Sequence, residues 1–324
     1  MIQELKRKRW RLSKELKIRT PEESLKFIEE LGMVAVVSDK ILPSFYDTIY
    51  VSSGDYRYRF DSERVERMWK LAHNLAAEKK IYYGRLLKRG NLLISMNLFS
   101  SFLRLYPIPN FPDFYWEGKL SRMGKEIMEA LLANGPLSTE RIYSDLRLWK
   151  KEHRKKLQSA LVELQSKMLI CCAGTVIKGK TRWGSTVWAV LEKWLPEHVR
   201  IKAEEIDEDE AMTNIIEKFV YAAILANEQM IARFFKWNTD RVKAIVKAML
   251  DNNIISIYEF KGTKHLFHNC LFLELDGRLT LKPWPDSILH QATRKVWNER
   301  TISEIDKIKR LKYDRKCGEL LQNS

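Results

Sequence analysis

The chain is poor in the residues that would place it in most enzyme and membrane classes. Its four cysteines stand at 171, 172, 270 and 317, an adjacent pair and two singles with no Cys-x-x-Cys. That usage fits a reducing compartment and offers no structural zinc site of ordinary spacing. Only 13 glycines and 9 prolines occur in 324 residues. No glycine-rich loop is available to cradle a phosphate, and neither Gly-x-Ser-x-Gly nor His-Glu-x-x-His appears. No run of about 18 uninterrupted apolar residues could span a bilayer. Met1 to Lys17 alternates charges with single apolar side chains, unlike the apolar segment of a signal peptide. These absences predict a soluble, cytoplasmic protein with no cofactor, no metal and no membrane contact.

Negative charge is the scarcer sign. Against 57 Lys and Arg stand 42 Asp and Glu, a formal charge of +15, with a pI near 9.5. Such a surface attracts polyanions over a Debye length. Charge alone does not separate DNA, RNA and anionic lipid.

A helical, basic unit that occurs twice does. Residues 120 to 191 and 211 to 275 each read as an apolar helix, a turn, a second helix, a third helix opening in basic residues, and a strand-turn-strand with lysines at its tip. The first helices end alike, in Leu131-Leu132-Ala133-Asn134 and Ile224-Leu225-Ala226-Asn227. Three helices followed by a hairpin make a winged helix-turn-helix, whose third helix can enter the major groove while the hairpin touches adjacent backbone. The expected partner is double-stranded DNA. The expected fold class is mainly α (α+β), with tandem winged-helix domains and small β-hairpin wings.

Helix three of the first repeat, near 151 to 168, commits Leu157, Ala160, Leu161, Leu164 and Met168 to a core. Its other face presents Arg154, Lys155, Gln158, Ser159 and Gln165, side chains able to reach phosphates and base edges. In the second repeat, near 239 to 252, Val242, Ile245, Val246, Met249 and Leu250 are the buried stripe, and Arg241, Lys243 and Lys247 face out. The wing tips add Lys178, Lys180 and Arg182 in one repeat and Lys261 and Lys264 in the other. The wing strands are read as 169 to 172 with 183 to 190, and as 254 to 260 with 266 to 273.

The remaining organisation follows from punctuation and charge. Residues 1–19 form a basic arm, either a solvated helix face or a segment lying along phosphates. An N-terminal, winged-helix-like domain over 20–118 opens with Thr20 as cap, Pro21 at the first helical position and a glutamate at the third. Prolines at 107, 109 and 112, three in six residues, rule out helix there, and Phe111, Phe114, Tyr115 and Trp116 read as packed on a neighbour. The winged repeats occupy 119–200 and 201–283, and a basic helical tail 284–324. The acidic run 204–210 reads as a link plus the negative start of a helix rather than a metal site, since consecutive carboxylates point apart. His265, His268 and Cys270 have a chelating spacing but lack a fourth ligand, so a structural or phosphate-facing role fits them better. Tyr82, Tyr83 and Trp183 can stack on bases or pack internally.

Several short motifs, taken in order, carry a resemblance. Leu31-Gly32 closes a helix. Leu42-Pro43-Ser44-Phe45, Tyr82-Tyr83-Gly84-Arg85-Leu86-Leu87, Gly135-Pro136-Leu137-Ser138, Trp183-Gly184 and Trp194-Leu195-Pro196 follow. Over roughly residues 20 to 275 this pattern resembles the HTH_42 winged-helix superfamily that contains the AlkZ/YcaQ DNA glycosylases, and within it the AlkZ-related branch. The resemblance implies a DNA-directed protein. In the glycosylases a Gln, an apolar residue and a Gln or Asp follow the Leu-Gly and position the attacking water. Ala35 and Val37 stand at those places here, and neither can hold a water or accept a proton. Asp39 and Asp47 could substitute, or simply form turns. The sequence therefore leaves three readings: a duplex-binding regulator or repair-associated factor without the catalytic pair, a glycosylase for alkylated or crosslinked bases, and a protein-contact module of transcription machinery.

Overall fold

The computed structural model describes residues 2–37, 39–51, 62–86, 90–177, 184–260 and 262–273. The 284–324 tail, Trp183, Lys178, Lys180, Arg182, Lys261 and Cys317 lie outside them.

The amino-terminal helix α1 (Ile2–Arg9) leads to α2 (Pro21–Leu31), which begins as its sequence dictates: Thr20 accepts from the Glu23 amide at 3.2 Å, and Pro21 occupies the first position. Its stop is set both by local conformation and by tertiary neighbours. Gly32 takes φ 75°, and a Cβ there would lie 2.9 Å from atoms of both Leu98 and Lys218. Strand β1 (Met33–Ala35), α3 (Phe45–Thr48), α4 (Ser62–Ala77), β2 (Ile81–Gly84) and β3 (Leu92–Ser95) follow, the strands forming an antiparallel sheet in the order β1-β3-β2. Helix α5 (Met96–Leu105) buries Leu98 through Phe102 consecutively, so its middle is enclosed on every side, while Asn97 and Arg104 near its ends are exposed.

Helix α6 (Phe111–Trp116) corrects the expectation that the prolines exclude helix. Pro112 falls in its first turn, where the missing N–H would have had no partner. Phe111, Phe114 and Tyr115 pack inward from it, but Trp116 is 80 % exposed. The first winged unit then runs α7 (Arg122–Asn134), β4 (Leu137–Ser138), α8 (Thr139–Asp145), α9 (Lys151–Ser166), β5 (Ile170–Val176) and β6 (Ser185–Val190), with sheet order β4-β6-β5. After α10 (Leu191–Trp194) and α11 (Glu197–Glu205), the second winged unit repeats the order with α12 (Glu208–Ala223), α13 (Glu228–Phe235), α14 (Thr239–Asp251), β7 (Ile255–Phe260) and β8 (Thr263–His268). A single bridge, Ala226 to Leu266, stands where β4 stands in the first unit. Residues 269 to 273, expected as strand, form helix α15 (Asn269–Leu273).

The fold is mainly helical with small antiparallel sheets, a tandem winged-helix arrangement. The core is divided unevenly. The first winged unit has its own apolar cluster, with Ile127, Leu131, Ile142, Leu157, Leu161 and Leu164 at its centre. The amino-terminal elements and the second winged unit share another, in which Phe99 and Phe102 of α5 join Phe219, Phe234 and Phe235. The first unit is attached to that body chiefly through its wing. Gly174 of β5 lies against α4, where a Cβ would come within 2.9 Å of the Ala77 side chain, and His73 of α4 sits 3.2 Å from the Thr186 hydroxyl.

Candidate nucleic-acid interface

Helix α9 separates its residues as the apolar spacing requires. Leu157, Ala160, Leu161 and Leu164 are buried, while Arg154, Lys155, Lys156, Gln158 and Ser159 are exposed. Arg154, Lys155 and Lys156 form no ion pair with any described residue; the Arg154 guanidinium rests 5.8 Å from the Tyr143 ring. Along one flank of α9 lies a groove of about 800 Å³ lined by Lys155, Lys156, Ser159, Glu163, Ser166 and Lys167. Its one carboxylate is engaged: Glu163 accepts from the Ser121 hydroxyl at 2.5 Å. Met123, Ala160 and Val162 make much of the lining apolar, so what suits a phosphate backbone is the exposed basic helix face beside the groove.

Gln165 is a correction. It is 4 % exposed, donating to the Leu161 carbonyl at 3.0 Å and accepting from the Arg85 amide at 3.2 Å. It joins the first unit to the segment after β2 and is not available to a base.

The second unit treats its cations differently. Arg241 donates to Glu208 at 2.8 Å and to Asp209 at 3.1 Å, and these hydrogen bonds raise its pKa further. Lys243 pairs with Asp240 at 3.3 Å. The acidic run thus serves as the start of α12, where Asp207 accepts from the Glu210 amide at 2.7 Å, and as counter-charge to α14. Lys247 and the wing residue Lys264 remain exposed.

The residue that the periodicity missed is Trp149. It directly precedes the N-cap Lys150 of α9, stands two residues after Arg147 at φ 51°, and is 74 % exposed. In the second unit Trp237 also directly precedes the N-cap, Asn238, but comes one residue after Lys236 at φ 60°, the place that the buried Leu148 takes in the first unit. That indole is half-buried, donating to the Tyr106 hydroxyl at 2.7 Å and stacking on Phe235 with centroids 4.5 Å apart.

Other candidates are internal. Tyr82 is fully buried and stacked on Phe99 at 4.1 Å, Tyr83 is 8 % exposed, and burial raises the pKa of both phenols. His268 is held at 3.3 Å from Glu217. Burial pulls its pKa down, but hydrogen bonds with Cys270 and Glu217 outweigh that and hold it above the ordinary imidazole value. No group of three or more His, Cys, Asp or Glu among the described residues could hold a metal. The basic arm is a docked helix: Ile2, Leu5 and Trp10 pack with Ile224, Phe267 and Leu271, and the Trp10 indole donates to the Ala222 carbonyl at 2.9 Å. Arg9 pairs with Glu30 at 2.8 Å.

Ala35 is buried on β1 and Val37 is 49 % exposed. Asp39 is a turn former, accepting from the amides of Ile41 at 2.6 Å and Leu42 at 3.0 Å. Asp47 lies in a more charged setting. Lys17 and Arg64, 6 % and 3 % exposed, converge beside it, and Lys17 donates to the Asp47 carbonyl. Burial, reinforced by Arg64, lowers the Lys17 pKa to about 8 against the pull of Asp47.

The exposed basic face of α9 and the groove beside it are the candidate surface that the described residues present. Residues 18–236 match the AlkZ-related family, most of the chain, and the protein belongs to that family. Among solved structures, the Streptomyces sahachiroi DNA glycosylase AlkZ is similar at 12 % identity and a TM-score of 0.47, covering 85 % of this chain and 72 % of that one. No curated protein sequence matches. No described helix is long and apolar enough to cross a membrane.

Proposed function

We propose that this protein binds duplex DNA through the first winged unit and does not itself excise bases. The observation that carries the reading is the exposed row Arg154, Lys155 and Lys156 on α9, unmatched by any described carboxylate. Desolvated and unpaired cations are costly, but solvated ones beside a groove gain by releasing counterions from a phosphate backbone. Membership of the AlkZ-related family, whose namesake is a DNA glycosylase, agrees with DNA as the polyanion. In this reading Gln158 and Arg154 address base edges, and Lys178, Lys180, Arg182, Lys261 and Lys264 of the wings address backbone. Arg241 and Lys243 contribute little, because their charge is already matched.

The non-catalytic part of the proposal rests on Ala35 and Val37. Base excision needs a positioned water or a stabilised sugar cation, and Asp39 is occupied by two backbone amides. The test is a gel shift on plain and N7-alkylated duplexes followed by alkali. Both duplexes are expected to shift, with no strand scission at the alkylated base. Single-turnover excision would overturn the non-enzymatic reading, and Asp47→Asn would then be the first variant to examine. Absence of any shift at low salt would overturn the DNA reading and favour a protein-contact role.

A further inference from the structure

We propose that Trp149 is a stacking element that recognises an interruption in the base stack of duplex DNA. This rests on the DNA-binding reading and adds a ligand feature to it. In a helix-turn-helix the amino-terminal end of helix three comes closest to the bases, and Trp149 sits at that end of α9.

Two comparisons within the molecule single it out. Trp237 also stands just ahead of its helix three, but one residue after the left-handed turn rather than two, and is bound into the shared core through Tyr106 and Phe235. In the first unit Leu148 takes that buried place after the turn, and Trp149, one residue further on, is left 74 % exposed. Trp116 is exposed as well, but the charges within four residues of it are Asp113, Glu117 and Lys119, whereas those around Trp149 are Asp145, Arg147, Lys150, Lys151 and Glu152, with Arg154 and Lys155 just beyond. Only the second setting is net positive.

An intact B-form duplex presents base edges in its grooves, because each base face is covered by its neighbours. An indole gains most where a face is uncovered, and stacking of an aromatic side chain on an open base is worth roughly tenfold in affinity or more. The fitting ligand is a duplex with one gap in its stack, such as an abasic position, whose backbone charge equals that of the intact duplex.

The experiment compares an intact duplex with the same duplex carrying one tetrahydrofuran abasic analogue, by fluorescence anisotropy with the full chain. Wild type is expected to bind the interrupted duplex about tenfold more tightly. Trp149→Ala should abolish that preference while keeping the affinity for intact DNA and its salt dependence, and Trp149→Phe should retain part of it. Loss of wild-type preference, an unchanged preference in Trp149→Ala, or equal weakening on both probes would overturn the stacking role while leaving DNA binding in place. Failure of the wild type to bind either probe would overturn the DNA reading and this inference with it. Because the side chain is exposed, an unchanged thermal transition in Trp149→Ala is the expected control.

Discussion

The two winged units share an order of elements, a left-handed residue in the turn before helix three, and a tryptophan just ahead of that helix. What differs is how each set of side chains is used. In the second unit Asn238 caps α14 by accepting from the Asp240 and Arg241 amides, Arg241 is matched by Glu208 and Asp209, and Trp237 is tied to Tyr106. In the first unit Lys150 makes no side-chain cap, the cations of α9 are open to solvent, and Trp149 touches little. The second unit shares its core with the amino-terminal elements, while the first has its own and is attached chiefly through its wing. The same local plan can therefore be packed into its neighbours or left open to solvent, and the neighbouring surfaces decide which.

The largest effect that would sharpen this contrast is on DNA affinity. Changing Arg154, Lys155 and Lys156 to Gln should flatten the log K against log salt slope by about three units, with a fall of roughly a hundredfold or more near physiological salt. The parallel triple change at Arg241, Lys243 and Lys247 should alter affinity by no more than about threefold. Equal losses from the two triples would break the comparison.

Next in size is acid sensitivity at the joint of the first unit. Burial lowers the His73 pKa to about 4 against its hydrogen bond to the Trp69 carbonyl. The unfolded chain therefore binds a proton that the folded one refuses between about 6.5 and 4. Stability is full above the unfolded value and declines as pH falls, by on the order of 3 kcal/mol in all. His268 in the second unit has the opposite sign. Its raised pKa contributes stability present below the ordinary imidazole value and lost as pH rises through the folded one. Urea titrations from pH 4 to 8 on His73→Gln and His268→Gln should remove slopes of opposite sign; slopes of the same sign would refute the assignment.

A smaller effect separates the tryptophans. Trp237→Ala should cost about 2 kcal/mol of stability through lost packing and the lost hydrogen bond to the Tyr106 hydroxyl, which keeps its own bond to the Phe235 carbonyl, and Trp149→Ala less than about 0.5 kcal/mol. Chemical denaturation would show a reversal if Trp149 were the anchored one. Smallest is Arg241→Ala. Its pairs are exposed, so removing it should cost about 0.2 to 1 kcal/mol, screened by salt, with DNA affinity unchanged.

Much of this was legible in the residues. The cap at Thr20 and the apolar stripes of α9 and α14 depend on nearest neighbours along the chain, and spacing reports them directly. Gln165 was read as outward-facing because a polar residue one turn beyond Leu161 looks solvated. Its burial depends on the Arg85 amide, about 80 residues away in sequence. Helix α6 was obscured because a proline count says nothing of where a helix begins, and Pro112 is harmless only in the first turn. Trp116 looked like its aromatic neighbours, yet only Phe111, Phe114 and Tyr115 lie on the side facing the first unit's core.

The sequence by itself determined the two repeated units, their helical faces, the net positive charge and the apolar residues Ala35 and Val37 after Leu31-Gly32, because periodicity, composition and residue identity are properties of the chain alone. Only the tertiary structure decided that Arg241 meets Glu208 and Asp209, that the basic amino-terminal helix is docked by Trp10, and that of two similarly placed tryptophans one is packed and the other open. Those outcomes turn on pairs distant in sequence, whose meeting is set by how the units pack on one another and not by any pattern within a unit.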